Sequence, residues 1–322
     1  MSSNPFTWTF HAHSLASIIY PCGVLFYHSF HDSFIYRRYL VRPSPIKADP
    51  EFERKVEDEL FALSHVRQKP LKNVKTALVM IDAMESSTIG AFPFRYGPMF
   101  KFNTRLLINS VSKFRQTFKN FNSFIGVQVP FLEVNKLSDE ELANVLLSEE
   151  AIRFAISREL NKADSSAPII VPCVVGLTVF SLVLALLKPL TRLLGSIGAL
   201  TTTVVISSAL TYVIVRHILA QYELRFDRIV YSYDDQTYAK GCETYLEKSM
   251  ALGRLLREKN GADSAVGRKF AENGDYIAHS VRYSRRMKEL QRYLKEEEEA
   301  RKRLAKKIRA GKIKIQKQQQ ST

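Results

Sequence analysis

The sequence predicts a helix-rich α+β chain, interrupted by a transmembrane helical hairpin and closed by a basic C-terminal helix. Three observations carry this. Residues 167–187 and 193–215 are charge-free runs of 21 and 23 residues, separated only by "KPLTR". Ahead of them, helical apolar periodicity alternates with short β-branched and aromatic runs bounded by turn residues. Between Arg282 and Lys317 stand fifteen basic and five acidic residues, so this stretch holds +10 of the chain's net +15.

The totals set the limits. A chain of 322 residues buries a sizeable core. A hydrophobic share of 46% is ordinary for a globular protein, so a membrane part is a minority of the chain. The positive balance admits nucleic acid, anionic lipid or a negatively charged compartment as its reason. Cys22, Cys173 and Cys242 lie far apart with no C-x-x-C, which excludes a disulfide framework and a zinc ribbon.

Residues 1–36 form an N-terminal segment. Its first thirteen residues hold no Lys or Arg, unlike a charged signal n-region or an Arg-rich transit peptide. Residues 14–30, "SLASIIYPCGVLFYHSF", are apolar but about as short as a span can be, and fit a membrane helix, an interfacial helix or a buried helix.

Residues 37–166 read as the first part of a soluble domain. A helix over 50–66 places Phe52, Val56, Leu60 and Leu63 on one face. Residues 74–83 and 121–134 read as strands, and 91–102, "AFPFRYGPMFKF", as irregular chain or an extended edge. Residues 137–163 form one long helix or two short ones. Ser138 with Glu141 fits a capping box, and Ser148 fits a second start. Leu142, Val145, Leu146, Ile152, Phe154, Ile156 and Leu160 mark the buried face.

The hairpin is assigned to residues 167–217. At 1.5 Å per residue, each run is long enough for a hydrocarbon core of about 30 Å. "KPLTR" suits a tight turn at a headgroup layer. Gly195, Gly198, Ser207 and Ser208, with the threonine run 201–203, permit close approach of another helix and form a candidate packing face. The competing reading is a helical hairpin buried in a soluble core.

Residues 218–290 read as a helical part that packs back on the soluble domain, with Gly241 marking a break or a close contact. Residues 291–322 are the basic tail. Positive segments beside spans stay on the inner side, and both ends of a hairpin share one side. The soluble domain and the tail therefore belong to one compartment, with "KPLTR" at the other. The tail fits a lipid-headgroup, RNA or acidic-partner contact, or a solvated helix end whose charges set topology. Aromatic interleaving stops at Tyr293, so no nucleic acid is expected. "GADSAVG" lacks the lysine of a phosphate loop, and Cys22 and Cys173 sit in apolar runs where a thiol stays inert.

The segment "LSEEAIRFAISRELNKA", followed within a few residues by an apolar hairpin, resembles the membrane-embedded zinc metalloproteases. In that alignment Arg158, Glu159, Leu160, Asn161 and Lys162 stand at their H-E-x-x-H. "ELRFD" is similar to their E-x-x-A-D, with Glu223 at the third-ligand position and Asp227 at the following acid. "AHSVRYSR" resembles their H-P-x-x-x-x-R through His279 and Arg285. The resemblance implies a degenerate metalloprotease-like domain. An arginine never offers a free lone pair to zinc, and Lys162 is not a usual ligand. A second register, with Ser148 and Ile152 at the histidine positions, fails equally. No catalytic residue, cofactor or bound metal is expected. Arg158, Glu159, Lys162 and Glu223 are degenerate metal-site positions, expected either as a buried salt-bridge cluster or as solvated charges at a helix end.

Along its whole length the chain also resembles the transmembrane protein 177 family. "YPCGVLFYHSFHDS", "LSEEAIRFAISREL", "YAKGCETYLEKSMALGRLL" and "ENGDYIAHSVRYSRRMKEL" carry this, in order. The resemblance implies a multi-pass protein of the mitochondrial inner membrane, its soluble domain and C-terminus toward the matrix. It implies a non-enzymatic scaffold for cytochrome c oxidase (complex IV) assembly, acting around subunit II. Expected partners are membrane lipid, the subunit II assembly chaperone and copper-delivery proteins. The alternatives are a membrane-embedded zinc metalloprotease with unusual ligands, and a lipid- or RNA-binding tether that uses the basic tail.

Overall fold

The computed structural model describes residues 47–67, 76–81, 83–93, 97–118, 137–165, 167–233 and 236–319, with a few more between 15 and 26. Most of the apolar segment 14–30, and the strand expected over 121–134, lie outside the described residues. The described part is a helix-rich domain with a small mixed sheet and two helices long and apolar enough to cross a membrane.

Helix α1 (Pro50–Arg67) opens the domain, with Asp49 Oδ1 accepting from Phe52 N at 2.8 Å. Strands β1 (Ala77–Ile81), β2 (Ser87–Ile89) and β3 (Met99–Asn103) form one sheet in the order β1-β3-β2. β1 pairs parallel to β3, Ala77 opposite Met99, and β2 pairs antiparallel, Ser87 opposite Lys101. β3 is thus the central strand, where the sequence reading expected irregular chain or an edge. The reason is that Pro98 precedes the strand instead of interrupting it, so no ladder donor is lost. Phe100 and Phe102 are almost fully buried, and Phe102 meets Phe52 of α1 edge-on at 5.3 Å. A 3-10 turn (Thr104–Leu107) and α2 (Val111–Phe118) follow.

Residues 139–164 form two helices. In α3 (Asp139–Val145) the capping box is complete: Glu141 N donates to Ser138 Oγ at 3.1 Å, and Ser138 N to Glu141 Oε2 at 2.8 Å. Leu146 is extended, and Ser148 caps α4 (Glu149–Asp164) through its hydroxyl, which accepts from Ala151 N.

α4 is the axis of the domain. Nearly every residue from Ala151 to Ala163 is buried, polar ones included. α1, β2 and the two helices that follow all pack on it. A helix enclosed on all sides is normally apolar; this one carries Arg158, Glu159 and Asn161 inward.

Helix α5 (Ala167–Tyr231) is two helical arms joined at Gly195, whose φ of 70° and ψ of 175° break the helical path. The arms fold together: Val183 and Leu187 from the first pack with Ala199 from the second. The turn was expected at "KPLTR", but those residues remain helical. Only glycine takes a positive φ without steric cost, so the reversal falls at Gly195. Cys173–Gly195 and Ile197–Tyr231 pass as membrane-crossing helices by length and composition, and their most apolar stretches are only 24% and 18% buried. The core of a soluble protein would cover such surface; here Leu177, Leu193, Ile197, Val205 and Val213 stand outward.

The second arm continues into α6 (Gln236–Asn260), which packs along α4 more extensively than any other described pair of elements. Gly241 marks a close contact. A Cβ there would lie 2.2 Å from the carbonyl oxygen of Glu150. A short 3-10 turn (Gly267–Lys269) leads to α7 (Tyr283–Gln319), whose first turns pack on α6 and α5 and whose continuation past residue 291 carries the exposed charges.

Candidate functional site

Four separate stretches of chain meet at one buried cluster of charge. α4 contributes Arg158, Glu159 and Lys162. The end of α5 contributes Glu223 and Asp227, one helical turn apart on the same face. The turn between β1 and β2 contributes Glu85, and the first turn of α7 contributes Arg286.

Arg158 is the hub, with 2% of its side chain exposed. It pairs closely with Glu223 through Nη2. Its Nε lies 2.7 Å from Asp227 Oδ1, and its Nη1 lies 3.2 Å from Glu85 and 3.5 Å from Glu159. Arg286 has no exposed side-chain surface. It grips Asp227 with two parallel hydrogen bonds of 2.6 and 3.0 Å, the fork geometry a guanidinium supplies and an ammonium does not. A third contact reaches Glu85 at 3.3 Å. Lys162 bridges Glu159 at 2.9 Å and Glu223 at 3.2 Å. Thr88 Oγ1 donates to Glu159 Oε2 at 2.8 Å, and Tyr245 OH to Glu85 Oε2 at 3.0 Å. Tyr245 and Tyr283 also hold their rings 5.8 Å from the Arg286 guanidinium.

Each of the four carboxylates therefore touches two cations. Burial alone would raise the Glu85 carboxyl, but Arg286 and Arg158 outweigh it and hold it down to about 2. Burial would likewise favour loss of the Arg158 proton, and the surrounding carboxylates hold it well above the usual value instead. Burial, with Glu85 adding to it, pushes the Tyr245 phenol up, so it is a donor at neutral pH. Burial lowers the His279 pKa, partly opposed by Glu85 and Glu223, so the ring is neutral there. Its Nδ1 faces the backbone of Val281.

This donor set does not fit zinc. Of the two residues that the sequence resemblance sets against imidazoles, Arg158 is a permanently charged guanidinium and Lys162 an ammonium held between two carboxylates. Among the described residues no group of three or more His, Cys, Asp or Glu is arranged to hold a metal ion. A general base needs a free lone pair facing open space, and these carboxylates spend theirs on the arginines and lysine beside them.

The structure thus brings Arg158, Glu159, Lys162 and Glu223 together and adds Asp227, Glu85 and Arg286. Two of these were legible. Asp227 follows Glu223 by one turn, and Arg286 falls in phase with the buried Tyr283, Met287 and Leu290. The resemblance had pointed to Arg285, which is exposed. Glu85, in a turn, had no periodic signal. Two further buried networks were also missed. Glu59 binds Arg153 at 2.7 Å, Tyr238 at 2.7 Å and Ser157. Arg105 donates to Val145 O and Ser249 Oγ, and burial lowers its pKa to about 10.

The small residues of the hairpin do not share one open face. Gly195 is the turn, and Gly198 is half-buried. Ser207 is buried and donates to Thr203 O at 2.6 Å, while Ser208 faces outward. Ala199, Thr203 and Ser207, at four-residue spacing, form the buried side of the second arm instead, and Ala199 packs against Val183 and Leu187 of the first. Comparison with protein-family models, with curated proteins and with solved structures finds no match.

Proposed function

We propose that the chain is a non-enzymatic membrane scaffold on a degenerate metalloprotease-like framework. The two apolar arms of α5 cross a bilayer, and the charge cluster stands where the zinc of an active relative would be. The observation that carries this is the pairing of Arg158 and Lys162 with Glu223 and Glu159. The residues at the ligand positions neutralise one another, so the framework is retained without donors for a metal.

The sequence resemblance supports a scaffold of the mitochondrial inner membrane, domain and tail toward the matrix. There it assists cytochrome c oxidase assembly by stabilising the subunit II assembly chaperone and the copper-delivery proteins. The outward apolar surface of the arms supports a membrane partner, and the inner side suits the basic tail.

The test is purification of the tagged full chain from alkali-extracted mitochondrial membranes, with metal analysis and an inventory of co-purifying proteins. The expected result is a chain in the membrane pellet, less than stoichiometric zinc, and recovery of oxidase-assembly factors. Stoichiometric zinc, or normal subunit II levels after deletion of the chain, overturns the reading.

A further inference from the structure

A basic groove of about 440 Å³ lies between the end of α5 and the start of the exposed part of α7. Arg225 and Arg228 line it from α5, and Arg285 and Arg292 from α7, with Glu289 and Glu296 between them. Arg292 pairs with both glutamates. Arg225, Arg228 and Arg285 are exposed and have no carboxylate partner among the described residues. Arg228 rests 5.7 Å from the Tyr293 ring, which holds its guanidinium at the groove wall.

The position of the groove points to its ligand. The charge-free run of the second arm ends at Val215, and Arg225 lies ten residues on, about 15 Å along the helix. A headgroup layer extends about 5–8 Å beyond the hydrocarbon on each side. Side chains tilt toward a helix's N-terminus, which for this helix is the bilayer side, and an arginine stem is several ångströms long. The near end of the groove therefore comes within reach of lipid phosphates. Unpaired arginines beside a span are the chemistry that holds an anionic headgroup, whose phosphate matches their planar fork.

We infer that Arg225, Arg228 and Arg285 form a binding site for the phosphate of an anionic phospholipid at the inner face of the membrane. The inference rests on the membrane-crossing reading of α5 and is independent of the proposed partners.

The test uses the full chain in nanodiscs of phosphatidylcholine with and without phosphatidylglycerol, scoring lipid retained after detergent release by native mass spectrometry. The wild-type chain retains phosphatidylglycerol over phosphatidylcholine. Taking each surface arginine at about fivefold, the R225Q/R228Q/R285Q variant loses on the order of 100-fold in that affinity. Arg285→Gln alone, at an exposed position, loses about fivefold without a change in thermal midpoint. R301Q/R303Q/K306Q removes the same charge from the tail and retains the lipid. Equal loss in both triple variants, or no loss in the groove variant, overturns the site. So does displacement of the lipid by inorganic phosphate at equal concentration, which would mark a soluble-anion site. A chain found in the alkaline pellet but without headgroup preference sinks the groove alone; a chain found in the supernatant sinks the membrane reading as well.

Discussion

Replacing Arg286 with methionine tests whether the charge cluster holds the domain to the apolar hairpin. Arg286 is fully enclosed and makes two hydrogen bonds to Asp227 and one to Glu85. Without it, four carboxylates share the two cations Arg158 and Lys162. Removing one partner of a buried ion pair costs about 3–5 kcal/mol, because the other charge stays buried and uncompensated. Glu85 supplies a second measure. Its carboxyl is held at about 2 against an ordinary 4.5, which corresponds to roughly 3 kcal/mol favouring the charged native form. Arg286 and Arg158 provide that preference together, so Arg286 accounts for part of it. For a chain of this length a loss of this size lowers the thermal midpoint by on the order of 10 °C.

The pH dependence has a fixed sign. A carboxyl with a depressed folded pKa contributes stability that is fully present above its unfolded value and is lost as pH falls through its folded one. Wild-type stability from Glu85 therefore declines between about pH 5 and pH 2. In Arg286→Met the Glu85 carboxyl rises toward its ordinary value, so the deficit is largest at neutral pH and shrinks in acid. Circular dichroism of the detergent-held chain across a pH series reads both quantities. Arg286→Lys keeps the charge, loses the fork and falls between. A neutral-pH deficit under about 1 kcal/mol, or one that does not change with pH, would refute the buried-cluster argument.

Two further predictions concern glycines. Gly241→Val forces α4 and α6 apart against the Glu150 carbonyl and costs about 3 kcal/mol or more, while the neighbouring exposed Lys240→Val costs less than about 1; thermal unfolding distinguishes them. Gly195→Ala puts a side chain on a backbone of φ 70° and ψ 175°, a region essentially reserved for glycine, at about 1–3 kcal/mol, whereas Pro189→Ala, inside a helix, is neutral or stabilising; the reverse order would return the turn to "KPLTR".

How much of this was legible follows from the range of each cause. The α3 and α4 caps are local, and Ser138, Glu141 and Ser148 announce them in the sequence. The apolar arms are legible because twenty charge-free residues have few other uses. The turn was misplaced because proline and charge marked residues 188–192, while backbone geometry selected Gly195. β3 was obscured by its flanking prolines and glycine, since centrality in a sheet depends on which strands arrive beside it. Glu85 was invisible for the same reason. Nothing within its turn encodes Arg158, more than seventy residues away, or Arg286, two hundred away.

Those separations bear on what the cluster does. Ion pairs in a protein interior add little net stability over well-packed apolar groups of the same volume, so strength alone does not account for seven buried or half-buried charges. Geometry does. Asp227 and Glu223 sit where the second arm enters the domain, and their partners come from α4 and α7. An apolar contact tolerates sliding and rotation of the arm. The Arg286 fork, held by Asp227 on one side and by Glu85 on the other, does not, since a rotation of one residue would strand every charge at once. The cluster therefore fixes the angle at which the hairpin leaves the domain. That angle also sets where Arg225 and Arg228 meet Arg285, because these arginines of the groove stand on the same two helices, within two residues of those that lock them.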